Sequence, residues 1–392
     1  MKQLAIAACV VTVCILGVAM GPIVVREPAG VGVLYPPNAA PLRAAVEQYL
    51  TGSEAPELPA PVVALISPHA SFPASGAVSA SAFKPLRKGQ YSRVIVMAPA
   101  MTSKFRGGSV PDVQYFRTPL GDVPLDGPAI RRLTMSSIVE MRAVVYRPAA
   151  YTDPEVRRIP LHETETAIEV VLPFLQVQLG SFKLVPIVLG EFPAVKGEGI
   201  DEKSLAATAR ALRPIFDEKT LLVVCSDLTR YGAVHNYTPF TEDILTHIGE
   251  LDMEAVNAIQ TRDYRAFMNY LETTKNPISG AMPIAVMLLL LPKSAQGILM
   301  SYDVSGRITG NLRNSVSFAS IDFFDRARPA VAESAPEAES SGEVGPSAEA
   351  KKDDAALPAE AKKEEKPAEN PPSNVKDAEE APHETPERTV PN

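Results

Sequence analysis

His69, Met101, Ser226, Asp227, Arg230 and Ser279 are the residues whose types could do chemistry together, and each follows or interrupts an apolar run. Pro68-His69-Ala70 comes after Val62–Ser67, and Pro99-Ala100-Met101 comes after Arg93–Ala98. Ser226-Asp227-Leu228-Thr229-Arg230-Tyr231-Gly232 follows a third run, and Asn276-Pro277-Ile278-Ser279-Gly280 stands before a fourth. Three chemistries lie within reach of these types. A hydroxyl, an imidazole and a carboxylate are the parts of a Ser-His-Asp hydrolase, although no Gly-x-Ser-x-Gly elbow accompanies them. His69, the thioether of Met101 and the thiol of Cys225 form a soft set that suits Cu(I). The Arg230 guanidinium has five donors and no lone pair, so it repels a metal cation and either pairs with Asp227 or binds an anion. His162, His235 and His247 lie near these segments in sequence, and surface placement is expected for all three. No Gly-x-Gly-x-x-Gly, Walker A, Cys-x-x-Cys or His-Glu-x-x-His segment occurs.

Six short β-branched runs, Val62–Ser67, Arg93–Ala98, Lys183–Leu189, Leu221–Ser226, Gly297–Tyr302 and Ser315–Ile321, read as strands. Between them, Ala40–Leu50, Glu163–Leu179, Asp243–Arg262 and Ala281–Leu291 have helical spacing, with a kink or restart expected at Pro173. The order predicts an α/β fold: a central, largely parallel or mixed sheet covered by helices. In such sheets the working residues sit just past the carboxyl ends of strands, where the candidates above stand. The body spans 61–328, and 26–60 reads as an entry segment with one helix.

The two ends differ from the body. Leu4–Val25 carries no charge and follows Lys2, which predicts a signal peptide or a retained membrane anchor over 1–25 and places the body outside the cytoplasm, in a periplasm or cell envelope. Residues 329–392 are rich in Ala, Pro, Glu and Lys, and ordering them would cost backbone entropy with little apolar burial in return, so a disordered acidic tail is expected. The chain's net charge of -8 resides in that tail. A near-neutral body without a basic stripe argues against nucleic acid as a partner. With Cys225 as the one cysteine outside the leader, a disulfide framework is excluded.

Taken in order, the segments resemble the Memo-like family, known in prokaryotes as the AmmeMemoRadiSam system protein B. That family reads Pro-His-Ala-Gly-Tyr-x-x-Ser-Gly, Gly-Pro-x-His, Thr-Pro-Leu-Gly, Glu-His-Ser-x-Glu before Leu-Pro-Phe-Leu, Ser-Ser-Asp-x-x-His-Tyr and Ile-Cys-Gly. This chain has Pro68-His69-Ala70-Ser71-Phe72-x-x-Ser75-Gly76, then Ala98-Pro99-Ala100-Met101, then Thr118-Pro119-Leu120-Gly121. Glu165-Thr166-Ala167-Ile168-Glu169 follows, before Leu172-Pro173-Phe174-Leu175, and then Cys225-Ser226-Asp227-Leu228-Thr229-Arg230-Tyr231 and Ile278-Ser279-Gly280. The resemblance implies a fold similar to the class III extradiol dioxygenases and a pocket in which two histidines and a cysteine bind iron or copper. Against that pattern His69 is kept, the second histidine falls on Met101, the cysteine on Ser279, the histidine after the Asp on Arg230, and the Glu-His-Ser histidine on Thr166.

Three readings result. In the first, His69, Met101, Asp227, Arg230 and Ser279 line a remodelled, non-catalytic pocket for a small anionic ligand or a protein partner, with Arg230 supplying charge and Asp227 holding it; no cofactor is then expected. In the second, His69 remains a metal ligand and replacement ligands keep an iron or copper oxidoreductase active. A third class makes the domain a docking module whose tail is the contact.

Overall fold

Val62–Ser67, Arg93–Pro99, Lys183–Leu189 and Thr220–Cys225 are apolar along almost their whole length, a pattern that suits strands buried on both faces. The computed structural model, which describes residues 22–146, 157–194 and 199–328, places these four side by side and parallel. In chain order the elements begin with β1 (Val25–Arg26), α1 (Ala39–Gly52), β2 (Val62–Ser67), α2 (Phe72–Phe83) and β3 (Arg93–Pro99). Then come β4 (Gly108–Ser109), β5 (Tyr115–Thr118), β6 (Gly121–Pro124), α3 (Gly127–Thr134), β7 (Val139–Glu140), β8 (Ala143–Tyr146) and β9 (Arg157–Pro160). The second half holds α4 (Ala167–Leu179), β10 (Lys183–Leu189), α5 (Glu202–Leu212), β11 (Thr220–Cys225), β12 (Arg230–Gly232), α6 (Ile244–Gln260), α7 (Tyr264–Thr274), α8 (Ala281–Leu290), β13 (Gln296–Val304) and β14 (Asn314–Phe324).

The central sheet runs β12-β14-β2-β11-β3-β10-β4-β7, with β13 also paired to β14. It is mixed. The parallel heart is β2-β11-β3-β10, and β14 runs antiparallel to β2 and to β13. Pro186 is accommodated inside β10 because β4 bonds only to Val188 and Leu189, so the missing amide breaks no ladder there. Helices α1, α2 and α4 pack together on one face, while α5, α6, α7 and α8 form a connected layer on the other. The apolar side chains of both layers merge with the sheet into one core, which includes Leu42 and Val46 of α1. Helix α4 runs unbroken through Pro173, so no restart occurs there.

Two boundaries differ from the sequence reading. The segment after the leader is part of the fold rather than an entry: β1 pairs with β5, and the uncharged run therefore ends at Val25 in a separate three-stranded sheet, β1-β5-β6. Helices α3, α5 and α7 were not anticipated, although Asp126, Asp201 and Asp263 cap their first turns. Among the described residues no helix is long and apolar enough to cross a membrane. The leader up to Gly21 and the tail from Pro329 lie outside the described residues.

Candidate functional site

The parallel registers bring Ser67, Pro99, Leu189 and Cys225 to one edge of the sheet, so the segments bearing His69, Met101 and Asp227 all leave from the same pole. Ser279 joins them from the loop ahead of α8. That loop lies hard against the end of β11: Gly280 donates its N–H to Ser226 Oγ at 3.1 Å, and a Cβ on Gly280 would come within 2.4 Å of Ser226 Cβ. Only glycine permits this approach.

Three of the expected residues interlock. His69 Nε2 lies 2.9 Å from Ser279 Oγ, and the same hydroxyl accepts the backbone N–H of Asp227 at 3.0 Å. Asp227 Oδ1 accepts the backbone N–H of His69 at 3.1 Å, while its Oδ2 stands 3.7 Å from His69 Nε2. His69 and Asp227 are both buried. The arrangement is not a hydrolytic triad, because serine and carboxylate face the same ring nitrogen, whereas a relay needs them on opposite nitrogens. Asp227 fixes the His69 loop through its main chain.

Ser279 and Met101 look into a cleft of about 390 Å³ formed by Pro99–Lys104, Leu189–Glu191, Ile278 and the first turn of α8, Ala281 to Pro283. The positive end of the α8 dipole is thus turned toward the cleft. Met101 is 41% exposed at its rim. The rim is held by Glu165, a residue that sequence reading passed over: its carboxylate accepts the N–H of Met101 at 2.8 Å, the N–H of Thr102 at 3.0 Å and the Thr102 hydroxyl at 2.7 Å. Beneath Glu165, the Arg26 guanidinium donates to the backbone oxygens of His162 and Glu165 and forms a buried ion pair with Glu169. Glu169 also accepts from Ala29 N, Gly30 N and Tyr35 Oη. The acidic positions at both ends of Glu165-Thr166-Ala167-Ile168-Glu169 were the available signal.

Arg230 departs from its expected place. It lies on β12 opposite Val316 of β14, outside the cleft lining, and among the described residues it makes neither an ion pair nor a hydrogen bond with Asp227. Its charge is felt by His235, whose imidazole is pushed below its ordinary range, first by burial and then by Arg230. His162 is also corrected: it is buried rather than on the surface, with Nε2 donating to the carbonyl of Ser109 at 3.0 Å and the ring edge-on to Phe116. Burial lowers its pKa to about 3, with the Arg26 charge a smaller cause in the same direction. Cys225 is fully buried and bonded to the Ala167 carbonyl, and burial pushes its thiol well up, with the Asp227 charge adding to the effect. It therefore cannot join His69 and Met101 in the soft set considered above.

Similarity to other proteins agrees with this layout. A family model for "Memo-like protein" matches residues 26–322, which includes the segment read from sequence as an entry. The MEMO1 family protein of Thermotoga neapolitana is 30% identical over 309 residues, covering 76% of this chain and 98% of that protein. The protein memo-1 homolog of Caenorhabditis elegans is 28% identical, covering 66% of this chain and 71% of that protein. Protein MEMO1 of Homo sapiens is 25% identical, covering 71% of this chain and 89% of that protein. With the mixed α/β sheet, the ordered motifs and a match running from the first buried arginine into the last strand, this chain belongs to the Memo-like family.

Proposed function

We propose that this chain is an extracytoplasmic, non-catalytic member of its family, whose ancestral metal pocket has been converted into a hydrogen-bonding cleft for a small anionic ligand or a peptide end. The observation that carries the reading is the Ser279 hydroxyl, 2.9 Å from His69 Nε2 and 3.0 Å from Asp227 N. Where the resemblance expects a thiolate that would bind a metal beside the imidazole, a hydroxyl bonds to the imidazole instead. The donor set does not fit iron or copper. Such ions take about three or four protein ligands, and among the described residues no three His, Cys, Asp or Glu side chains gather at binding distance. A methionine at the rim and a serine hydroxyl are poor substitutes for imidazole and thiolate.

The anionic end of a ligand is set against the first turn of α8 and the Ser279 hydroxyl, a role the helix dipole takes over from Arg230. Apolar parts would rest on Ala100, Met101, Leu189 and Ile278, which line the same cleft. His69 sits behind Ser279 and sets the direction of its hydroxyl. The acidic tail is assigned no part in the cleft.

The alternative, an iron or copper oxidoreductase built on His69, differs in one measurable property. Elemental mass spectrometry of the purified chain, expressed with iron, copper and zinc present, tests it directly. The proposal expects substoichiometric metal that is unchanged in His69→Ala, and stoichiometric metal lost in that variant would overturn it.

A further inference from the structure

We propose that Thr229 and Asn276 are positioning residues that set the Ser279 hydroxyl in the cleft, acting from a buried polar network behind it; this rests on the cleft reading above. The segment that carries Ser279 has little else to fix it. Residues 276–280 link α7 to α8, and among the described residues their main-chain N–H groups bond only locally or to the Ser226 hydroxyl. The neighbouring Asp227 segment is zipped to β14 instead: Leu228 donates its N–H to Ser317 O and Ser317 donates its own to Thr229 O, each at 2.9 Å. Position therefore has to pass from the fixed segment to the free one.

The two segments run antiparallel and touch at three successive places. Gly280 meets Ser226, Ser279 meets Asp227, and Asn276 Nδ2 donates to Thr229 Oγ1 at 2.6 Å. Asn276 Nδ2 also donates to Tyr270 Oη of α7 at 2.6 Å. Thr229 Oγ1 in turn donates to Asp252 of α6 at 2.6 Å, and the same carboxylate accepts the Thr229 N–H at 3.2 Å and the Tyr302 hydroxyl of β13 at 2.7 Å. Thr229, Asp252 and Asn276 are all buried. The cluster carries costs that a merely stabilising one would avoid. Burial raises the Asp252 pKa with no cation among its causes, and Asn276 Oδ1 is buried without a partner among the described residues. What such a network secures is one arrangement of the groups it joins. Here that arrangement is the distance between the Asp227 amide and Ser279, because Thr229 stands two residues after the first and Asn276 three before the second.

The Asp227 N–H, bonded to Ser279 Oγ at 3.0 Å, reports that distance, and the adjacent Ser226 N–H, bonded to Ser67 O at 2.9 Å, reports general stability. Exchange of both amides is measured on the full-length chain by mass spectrometry with single-residue fragmentation. Thr229→Val removes the hydroxyl at nearly constant size, Asn276→Leu removes the amide, and Thr229→Ser keeps the hydroxyl. The ratio of Asp227 to Ser226 exchange should rise about tenfold in Thr229→Val, in Asn276→Leu and in Ser279→Ala, and should hold its parental value in Thr229→Ser. It should rise no further in Thr229→Val/Ser279→Ala than in Ser279→Ala, because both changes act through one bond. An unchanged ratio in Thr229→Val and Asn276→Leu, whether or not both amides speed up together, overturns the positioning role. A further rise in the double variant overturns it too, since Thr229 would then act by a route that bypasses Ser279. Metal content judges the cleft separately: stoichiometric metal lost in His69→Ala removes the anion cleft and leaves these ratios as they are.

Discussion

Lowering the pH should weaken this fold through one histidine. Burial holds the His162 imidazole at about 3, against an ordinary value of 6.5, so that its Nε2–H donates to Ser109 while the ring stays neutral. Between these two values the unfolded chain binds a proton that the native chain does not, so stability is fully present above 6.5 and is lost as pH falls. Integrating from pH 7 to pH 5 gives about 2 kcal/mol lost through this group. The figure depends little on the native value, because pH 5 lies well above it. His162→Gln keeps an N–H donor for Ser109 and removes the titration. Urea unfolding followed by circular dichroism, on chain lacking residues 1–21, should show the parent losing about 2 kcal/mol more than His162→Gln between pH 7 and pH 5. Equal losses in the two proteins would refute the assignment.

Other perturbations follow from the same geometry. Arg26→Ala leaves Glu169 charged and buried, and should cost about 3–5 kcal/mol in urea unfolding at pH 7; a cost under about 1 kcal/mol would mean that the pair is not desolvated. Glu165→Gln replaces a carboxylate that accepts three bonds with an amide that has one acceptor oxygen, so amide exchange at Met101 and Thr102 should speed up by about tenfold; unchanged exchange would remove Glu165 as the clamp of the cleft rim. Asp322 is buried on β14 with neither carboxyl oxygen bonded among the described residues, and burial raises its pKa well above the carboxylate range. Its native state therefore favours the proton, and the associated stability is present at low pH and lost as pH rises above about 4. Asp322→Asn should raise the melting temperature at pH 8 and have a smaller effect at pH 4, and the reverse order would show that Asp322 is ionised in the fold.

The sequence carried the parallel strands well because a strand buried on both faces is written as an unbroken apolar run, as in Val62–Ser67 and Lys183–Leu189. The cluster at their carboxyl ends was legible for the same reason: once β2, β3 and β11 are parallel, His69, Met101 and Asp227 must share a pole. What could not be read depended on pairings between distant segments. Arg230 leaves the cleft because β12 bonds to β14, some 85 residues later, a pairing with no local signature. His162 is buried because Ser109 on β4 and Phe116 on β5 come to meet it from two different sheets. Arg26 opened the segment read as an entry, and only its partner Glu169 on α4 makes it part of the core. The short capped helices α3, α5 and α7 were missed for lack of a long periodic stretch, although their Asp caps were visible.

The central claim is that hydroxyl and thioether now stand where imidazole and thiolate would hold a metal, and restoring those two groups tests it most directly. Metal content is measured by elemental mass spectrometry on the parent, on His69→Ala, and on Met101→His/Ser279→Cys, all expressed with iron, copper and zinc present. The account predicts substoichiometric metal in the first two and about one equivalent in the double variant, where His69 regains two partners of the kind such ions prefer. One equivalent in the parent, lost in His69→Ala, would contradict it and make the chain a metalloprotein.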